Sequence, residues 1–171
     1  MQRSLRHRSP APAAIPAGTE NQDCYFFRVP AQSDVYVRRI LMRQSTGTHH
    51  MNIFRVRTIL DLDPANGAVQ RSKDGQAPCS KSVNWADWPL IANNQNEGAF
   101  DWTYPDGVGN ELMPDEWIMM QSHYVNATTQ KTPEGGKVVV NFWHLPDEKV
   151  TAEMGTIFAT QQSVRVCQSN P

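Results

Sequence analysis

Apolar residues in this chain come in short runs, and turn formers separate the runs. Cys24-Tyr25-Phe26-Phe27-Arg28-Val29 reads as a strand, and Pro30 ends it because proline supplies no ladder donor. Val35 to Met42 is β-branched and aromatic with no helix-capping signal, so it predicts a second strand. A polar turn follows at Gln44 to Gly47. From His50 to Thr58 the pattern alternates: Met51, Ile53 and Arg55 face one way, Asn52, Phe54 and Val56 the other. Glu116 to Tyr124 is the clearest strand. Trp117, Met119, Gln121 and His123 share one face; Ile118, Met120, Ser122 and Tyr124 share the other. Val138 to Leu145 is apolar on both faces, as a strand inside a sandwich can be. Met154 to Val166 predicts a last strand, or two with a bend.

The intervening stretches read differently. Asp61 to Pro78 is a loop, marked by Asp63-Pro64-Ala65-Asn66-Gly67 and Asp74-Gly75. Cys79 to Asn110 reads as irregular, with Trp85, Trp88 and Trp102 anchoring a long loop and Pro89, Gly98 and Pro105 interrupting it. Asn126 to Gly136 predicts a polar hairpin loop. There is no internal repeat and no amphipathic helical stretch. Short strands between such turns imply an all-β fold: an antiparallel β-sandwich, jelly-roll-like. Its expected buried seam is Trp117, Ile118, Met120, Val139, Val140, Phe142 and Ile157.

Length and charge narrow the picture. The chain's 171 residues suffice for one domain with a sizeable core. Residues 1–20 are basic (Arg3, Arg6, Arg8) and then rich in Ala and Pro, with no apolar signal-peptide core. They read as a disordered tail, leaving residues 21–171 as the domain. The formal net charge of −1 gives no overall drive toward nucleic acid or a membrane surface. No apolar run approaches a membrane span. Cys24, Cys79 and Cys167 are too few and too far apart for a disulfide scaffold or a cysteine metal cluster. Two readings stand side by side: one disulfide, Cys24 with Cys167 bracketing the domain, or three reduced thiols.

The candidate chemistry lies in Gly47-Thr48-His49-His50-Met51-Asn52-Ile53-Phe54 and in Gln121-Ser122-His123-Tyr124. Neighbours on a regular strand point to opposite faces, so His49 and His50 can share a metal only at a strand entrance or bulge. The turn at Gly47 makes room for one. If the two strands pair, His123 completes a three-histidine site. Three neutral imidazoles with no nearby cysteine suit copper or zinc. The plainer reading is a histidine pair and a third that never meet. His144 shares a face with Val138, Val140 and Phe142 and reads as a hydrogen-bonded core histidine. Met51 and Met119 read as packing rather than thioether ligands. Asp106-Gly107-Val108-Gly109 lacks a phosphate-loop pattern. Asn126-Ala127-Thr128 is a glycosylation sequon. No nucleophile elbow accompanies the serines.

Thr48-His49-His50-Met51, Pro105-Asp106-Gly107-Val108-Gly109 and Gln121-Ser122-His123-Tyr124 occur in a recognisable order. Together they resemble the N-terminal domain of the copper type II, ascorbate-dependent monooxygenases, the family of peptidylglycine α-hydroxylating and dopamine β-monooxygenases. Cys24 to Pro30 resembles that family's first cysteine-bearing strand, and Leu145-Pro146 with Met154 to Phe158 resembles its close. The resemblance covers roughly residues 21 to 167. It implies a jelly-roll-like sandwich in which His49, His50 and His123 bind one copper that takes electrons from ascorbate. In the family, a second copper in a following domain, held by two histidines and a methionine, activates O₂.

This chain departs from that plan. Besides the three, only His7 and His144 are present, and there is no His-x-His pair. Val56 stands where the family has a cysteine. The expectation is an electron-transfer half, working with a second copper domain or a separate catalytic partner and with ascorbate or another reductant. Such a half does not complete hydroxylation alone. A copper storage, sensing or delivery module and a metal-free interaction domain are the other two readings. The resemblance places the protein outside the cell, in the periplasm or in the secretory lumen, although the chain shows no recognisable signal peptide.

Overall fold

The computed structural model describes residues 4–8, 15–57, 67–71, 87–130, 137–157 and 159. Two sheets face each other. The five-stranded sheet runs β5 (Val69–Arg71), β2 (Thr19–Arg28), β9 (Trp117–Asn126), β4 (Thr48–Val56) and β6 (Leu90–Asn94). The six-stranded sheet runs β1 (Ser4–Arg8), β10 (Val138–Leu145), β3 (Val35–Gln44), β8 (Val108–Leu112) and β11 (Ala152–Glu153), with β7 (Gly98–Thr103) also paired to β3. Every pairing is antiparallel except the short β11–β8 contact. The expected all-β sandwich is therefore what forms. No helix among the described residues is long and apolar enough to cross a membrane.

Strand alternation fills the space between the sheets. Val37, Ile40 and Met42 of β3 and Val140 of β10 meet Ile53 of β4 and Met120 of β9, all 0 % exposed. A second apolar cluster lies on the outer face of the five-stranded sheet, where Phe26, Met119 and Phe54 form one cross-strand row. Trp88 packs with this cluster, so these strands are apolar on both faces.

Besides β6, where Ile91 stands between the partners of Ile53 and Phe54, two strands carry an extra residue. On β3, Arg39 pairs with Trp143 and Val37 with His144, which leaves Arg38 unpaired. The bulge resets the alternation, so Val37 and Ile40 both reach the core although they are three residues apart. The other case, on β4, builds the site described below.

Several expectations are corrected. The tryptophan-rich stretch is not an irregular loop where it is described: β6, β7 and β8 lie within it. They are short and set off by Pro89, Gly98 and Pro105, which hides them as strands in the sequence. Trp88 is an anchor, buried in the outer cluster, and Trp102 meets Tyr104 edge-on at 4.8 Å. Trp85 lies outside the described residues, as does most of Asp61 to Pro78.

Of the last predicted strand, Met154 to Ile157 is not extended into a sheet, and the rest is outside the described residues except residue 159. Ile157 is 95 % exposed and no part of the seam. Ile118, Met120, Val140 and Phe142 do form the seam. Trp117 is half-buried against the outer cluster, and Val139 is buried as expected but lies on the face of β10 away from the seam. Within the segment read as a disordered tail, Ser4–Arg8 pairs along β10, and Ile15 is buried with its carbonyl bonded to Asn126. The backbone edge of β10 recruits that strand without needing an apolar pattern. Cys24 is in a disulfide, which excludes three reduced thiols. Cys79 and Cys167 lie outside the described residues.

Candidate metal centre

The site begins with a turn. Gly47 has φ +86°, a left-handed conformation glycine adopts without strain, and the turn closes with the Thr48 N–H donating to Ser45 O at 3.2 Å. The Gly47 N–H donates to Glu97 Oε1, and the Val125 N–H donates to Gly47 O, tying the turn to β9. β4 then pairs antiparallel with β9. Thr48 lies opposite Tyr124 and His50 opposite His123, so His49 is the extra residue between them. Thr48 and Met51 are both buried although three residues apart, which strict alternation forbids. The bulge turns His49 and His50 to the same outer face, toward His123.

The three rings form a nearly equilateral group. Their centroids lie 5.3 Å apart (His49–His50), 5.2 Å (His49–His123) and 5.0 Å (His50–His123), each pair inclined by 65–67°. One nitrogen from each lies within 4.8 Å of the others. His50 Nε2 and His123 Nδ1 are 3.3 Å apart. Two imidazole nitrogens bound at 2.0–2.1 Å in a tetrahedral site would lie about 3.3–3.4 Å apart. The donor set and the His50–His123 spacing fit a four-coordinate metal, with one position left for water or another ligand once His49 joins them. His49 is exposed and the other two are half-buried, so the site opens to solvent on the His49 side.

The surroundings favour neutral imidazoles. Burial, then His123, then His49 push the His50 pKa down from the usual 6.5 to about 4. His50 Nδ1 is buried without a hydrogen-bond partner. On His123, Nε2 lies 3.2 Å from Glu20 Oε2. An ionised carboxylate only accepts, so Nε2 carries the proton and Nδ1 offers its lone pair toward His50.

The face behind the histidines is graded. The next row across the sheet is an amide chain. Gln95 donates to Asn93 Oδ1 (3.0 Å), Asn93 to Asn52 Oδ1, and Asn52 to Gln121 Oε1 (2.9 Å). The row beyond is the apolar Phe26–Met119–Phe54 row. Beneath the histidines, on the inner face, Tyr25 Oη meets Tyr124 Oη at 3.0 Å and donates to buried Asp23 at 3.2 Å. Burial, Tyr124 and Asp23 raise the Tyr25 pKa well above its ordinary value, so that phenol stays neutral.

The structure thus brings together all three histidines singled out in the sequence. His144 stays apart, half-buried on β10 with Nδ1 3.3 Å from Leu145 O, in keeping with a hydrogen-bonded histidine. Met51 and Met119 are fully buried in the two apolar clusters. Glu20 and the amide row were not found from the sequence. Only the β2–β9–β4 register brings them beside the histidines, and no local pattern encodes that register. The sequon is spent structurally: Asn126 is 2 % exposed, and its amide donates to Ile15 O and Gln130 O while its carbonyl accepts from Thr128. A cavity of about 460 Å³ lined by Arg55, Arg57, Trp88 and Met154 contains none of the histidines. No protein-family model matches the chain, and no curated protein matches it.

Proposed function

We propose that this protein is a copper-binding, electron-transfer module of the copper type II, ascorbate-dependent monooxygenase kind, with His49, His50 and His123 as the ligands. The observation that carries the metal site is the bulge at His49, which turns two consecutive histidines to one face directly opposite a third. The choice of copper and of a monooxygenase partner rests on the sequence resemblance and on imidazole serving both Cu(I) and Cu(II).

The chain's own residues have definite tasks in this reading. His50 stays neutral because it is partly desolvated by burial and because two other imidazoles oppose its charging. Glu20 holds the His123 tautomer whose Nδ1 lone pair faces the site. The paired strands β2, β9 and β4 fix the ligands on a stiff sheet, which keeps reorganisation small when the charge at the site changes. Exposed His49 leaves a solvent-facing side where a small reductant such as ascorbate can approach. Copper, when bound, supplies a one-electron couple. A second copper domain or a separate partner would complete hydroxylation. The Cys24 disulfide supports an oxidising compartment: extracellular, periplasmic or in the secretory lumen.

A second reading, copper delivery without turnover, draws on the same exposure of His49, since an open ligand lets a metal pass to an acceptor.

Titration with Cu(II), followed by electron paramagnetic resonance, tests the site. The proposal expects one copper with nitrogen hyperfine structure, lost in His50→Ala and His123→Ala and kept in His144→Ala, and a signal that ascorbate bleaches. Unchanged stoichiometry and hyperfine structure in His49→Ala, His50→Ala and His123→Ala would rule it out. A copper signal that ascorbate leaves intact would favour delivery over electron transfer.

A further inference from the structure

We propose that the outer face of the six-stranded sheet binds a sulfated linear polysaccharide through Arg6, Arg8 and Arg43. Residues paired across strands share a face, so the register places these side chains together. Arg8 lies opposite Val139, which lies opposite Arg43; Arg6 lies opposite Asn141; and Trp143 lies opposite Arg39 in the next row. The alternate residues of β10, namely Val138, Val140 and Phe142, fill the core, which fixes this row set as outward-facing. Arg6, Arg8 and Arg43 are exposed.

The charges on this face do not cancel. Asp101 grips Arg39 with two bonds of 2.8 and 2.6 Å. Among the described residues, Arg6, Arg8 and Arg43 have no acidic side chain within ion-pair distance, although Arg43, after Arg39, helps hold the Asp101 carboxyl below its usual range. The same sheet is acidic at its other end, where Glu111, Glu153 and Asp34 surround Tyr36. A net charge of −1 therefore hides a segregated surface.

Arg6 and Arg8 stand about 6.6 Å apart along one strand, and Arg8 and Arg43 roughly 10 Å apart across two strand spacings. An extended chain with regularly placed sulfates can meet all three, and guanidinium forks bind such oxyanions in pairs of hydrogen bonds.

Other polyanions fit less well. Single-stranded nucleic acid needs open aromatic platforms, and the Trp143 ring already carries Arg39 at 4.5 Å. A membrane surface needs apolar side chains to insert, and among the described residues the exposed large apolar ones, Val69, Met113 and Ile157, lie on none of this sheet's strands. The Cys24 disulfide agrees with a compartment in which sulfated glycans occur.

The test is elution from immobilised heparin by a NaCl gradient, with the full chain. The wild-type protein should be retained above a physiological ionic strength of about 0.15 M. The triple variant Arg6→Ala/Arg8→Ala/Arg43→Ala should elute much earlier, and its plot of log affinity against log salt should be shallower by roughly 2–3. The corresponding Arg→Lys triple variant should recover part of the retention. Asp101→Asn, which frees Arg39, should elute later than wild type, a gain that misfolding cannot imitate. Flow-through of the wild-type protein, or identical elution of wild type and both triple variants, would overturn the proposal. Equal affinity for single-stranded DNA or for phosphatidylserine vesicles would overturn the choice of occupant.

Discussion

His123 meets Glu20 through Nε2, at 3.2 Å, and the contact turns its other nitrogen toward His50. The carboxylate can only accept, so it selects the tautomer with the proton on Nε2. Nδ1 is left as a lone pair in the middle of the histidine group. A residue two strand positions from any ligand pattern thus decides which atom His123 presents. His50 has no such guide, because its Nδ1 is buried without a partner.

Removing Glu20 should therefore change the tautomer before it changes the fold. In metal-free protein, the ¹⁵N shifts of His123 should report the Nε2–H form in wild type and in Glu20→Gln, which keeps an acceptor oxygen. Glu20→Ala should show a mixture of both forms. Metal affinity in Glu20→Ala should fall by roughly 10–100-fold. An unchanged His123 spectrum in Glu20→Ala would show that the carboxylate does not set the tautomer.

The depressed pKa of His50 has a signed consequence for stability. As pH falls below 6.5, the unfolded chain takes up a proton that the folded protein refuses until about 4. Stability of the metal-free protein should decline across that window and level off below it. Urea unfolding at several pH values in a chelator checks this, with His50→Leu as the reference. The difference between the two proteins should grow as pH falls from 6.5 to 4. A pH-independent difference would mean that His50 is not desolvated.

Core and surface isoleucines should separate cleanly. Ile118 is 0 % exposed between the sheets, and Ile118→Ala should cost about 2–5 kcal/mol. Ile157 is 95 % exposed, and Ile157→Ala should stay within about 0.5 kcal/mol of wild type. Denaturant midpoints at constant slope measure both. Equal effects would place one of the two residues wrongly.

Asn126 should escape glycosylation in a secretory host despite its sequon. Its amide is buried and every polar atom of it is engaged. Intact mass of secreted protein should show no glycan at Asn126. Asn126→Ala should destabilise by roughly 1–3 kcal/mol, because it removes a buried side-chain donor to the carbonyl of Ile15. A glycosylated Asn126 on folded protein would contradict the burial.

The sequence by itself determined the fold class and singled out the three histidines that meet. Val35 to Met42, Glu116 to Tyr124 and Val138 to Leu145 mark strands because they are short, β-branched or apolar runs bounded by turn formers. The histidine pair after Gly47 requires a bulge if both rings are to converge, and β4 has one at His49. The tertiary structure alone decided the rest. β6, β7 and β8 are too short and too interrupted by turn formers to announce themselves, and neighbouring ladders hold their backbones. Ile157 looks like core by composition and is exposed because no strand carries it inward. Glu20 stands 103 positions from His123, and the arginines of β1 stand more than 30 from Arg43. Such neighbours are set by register between strands, a product of the whole sandwich closing at once, and no local run of residues encodes it.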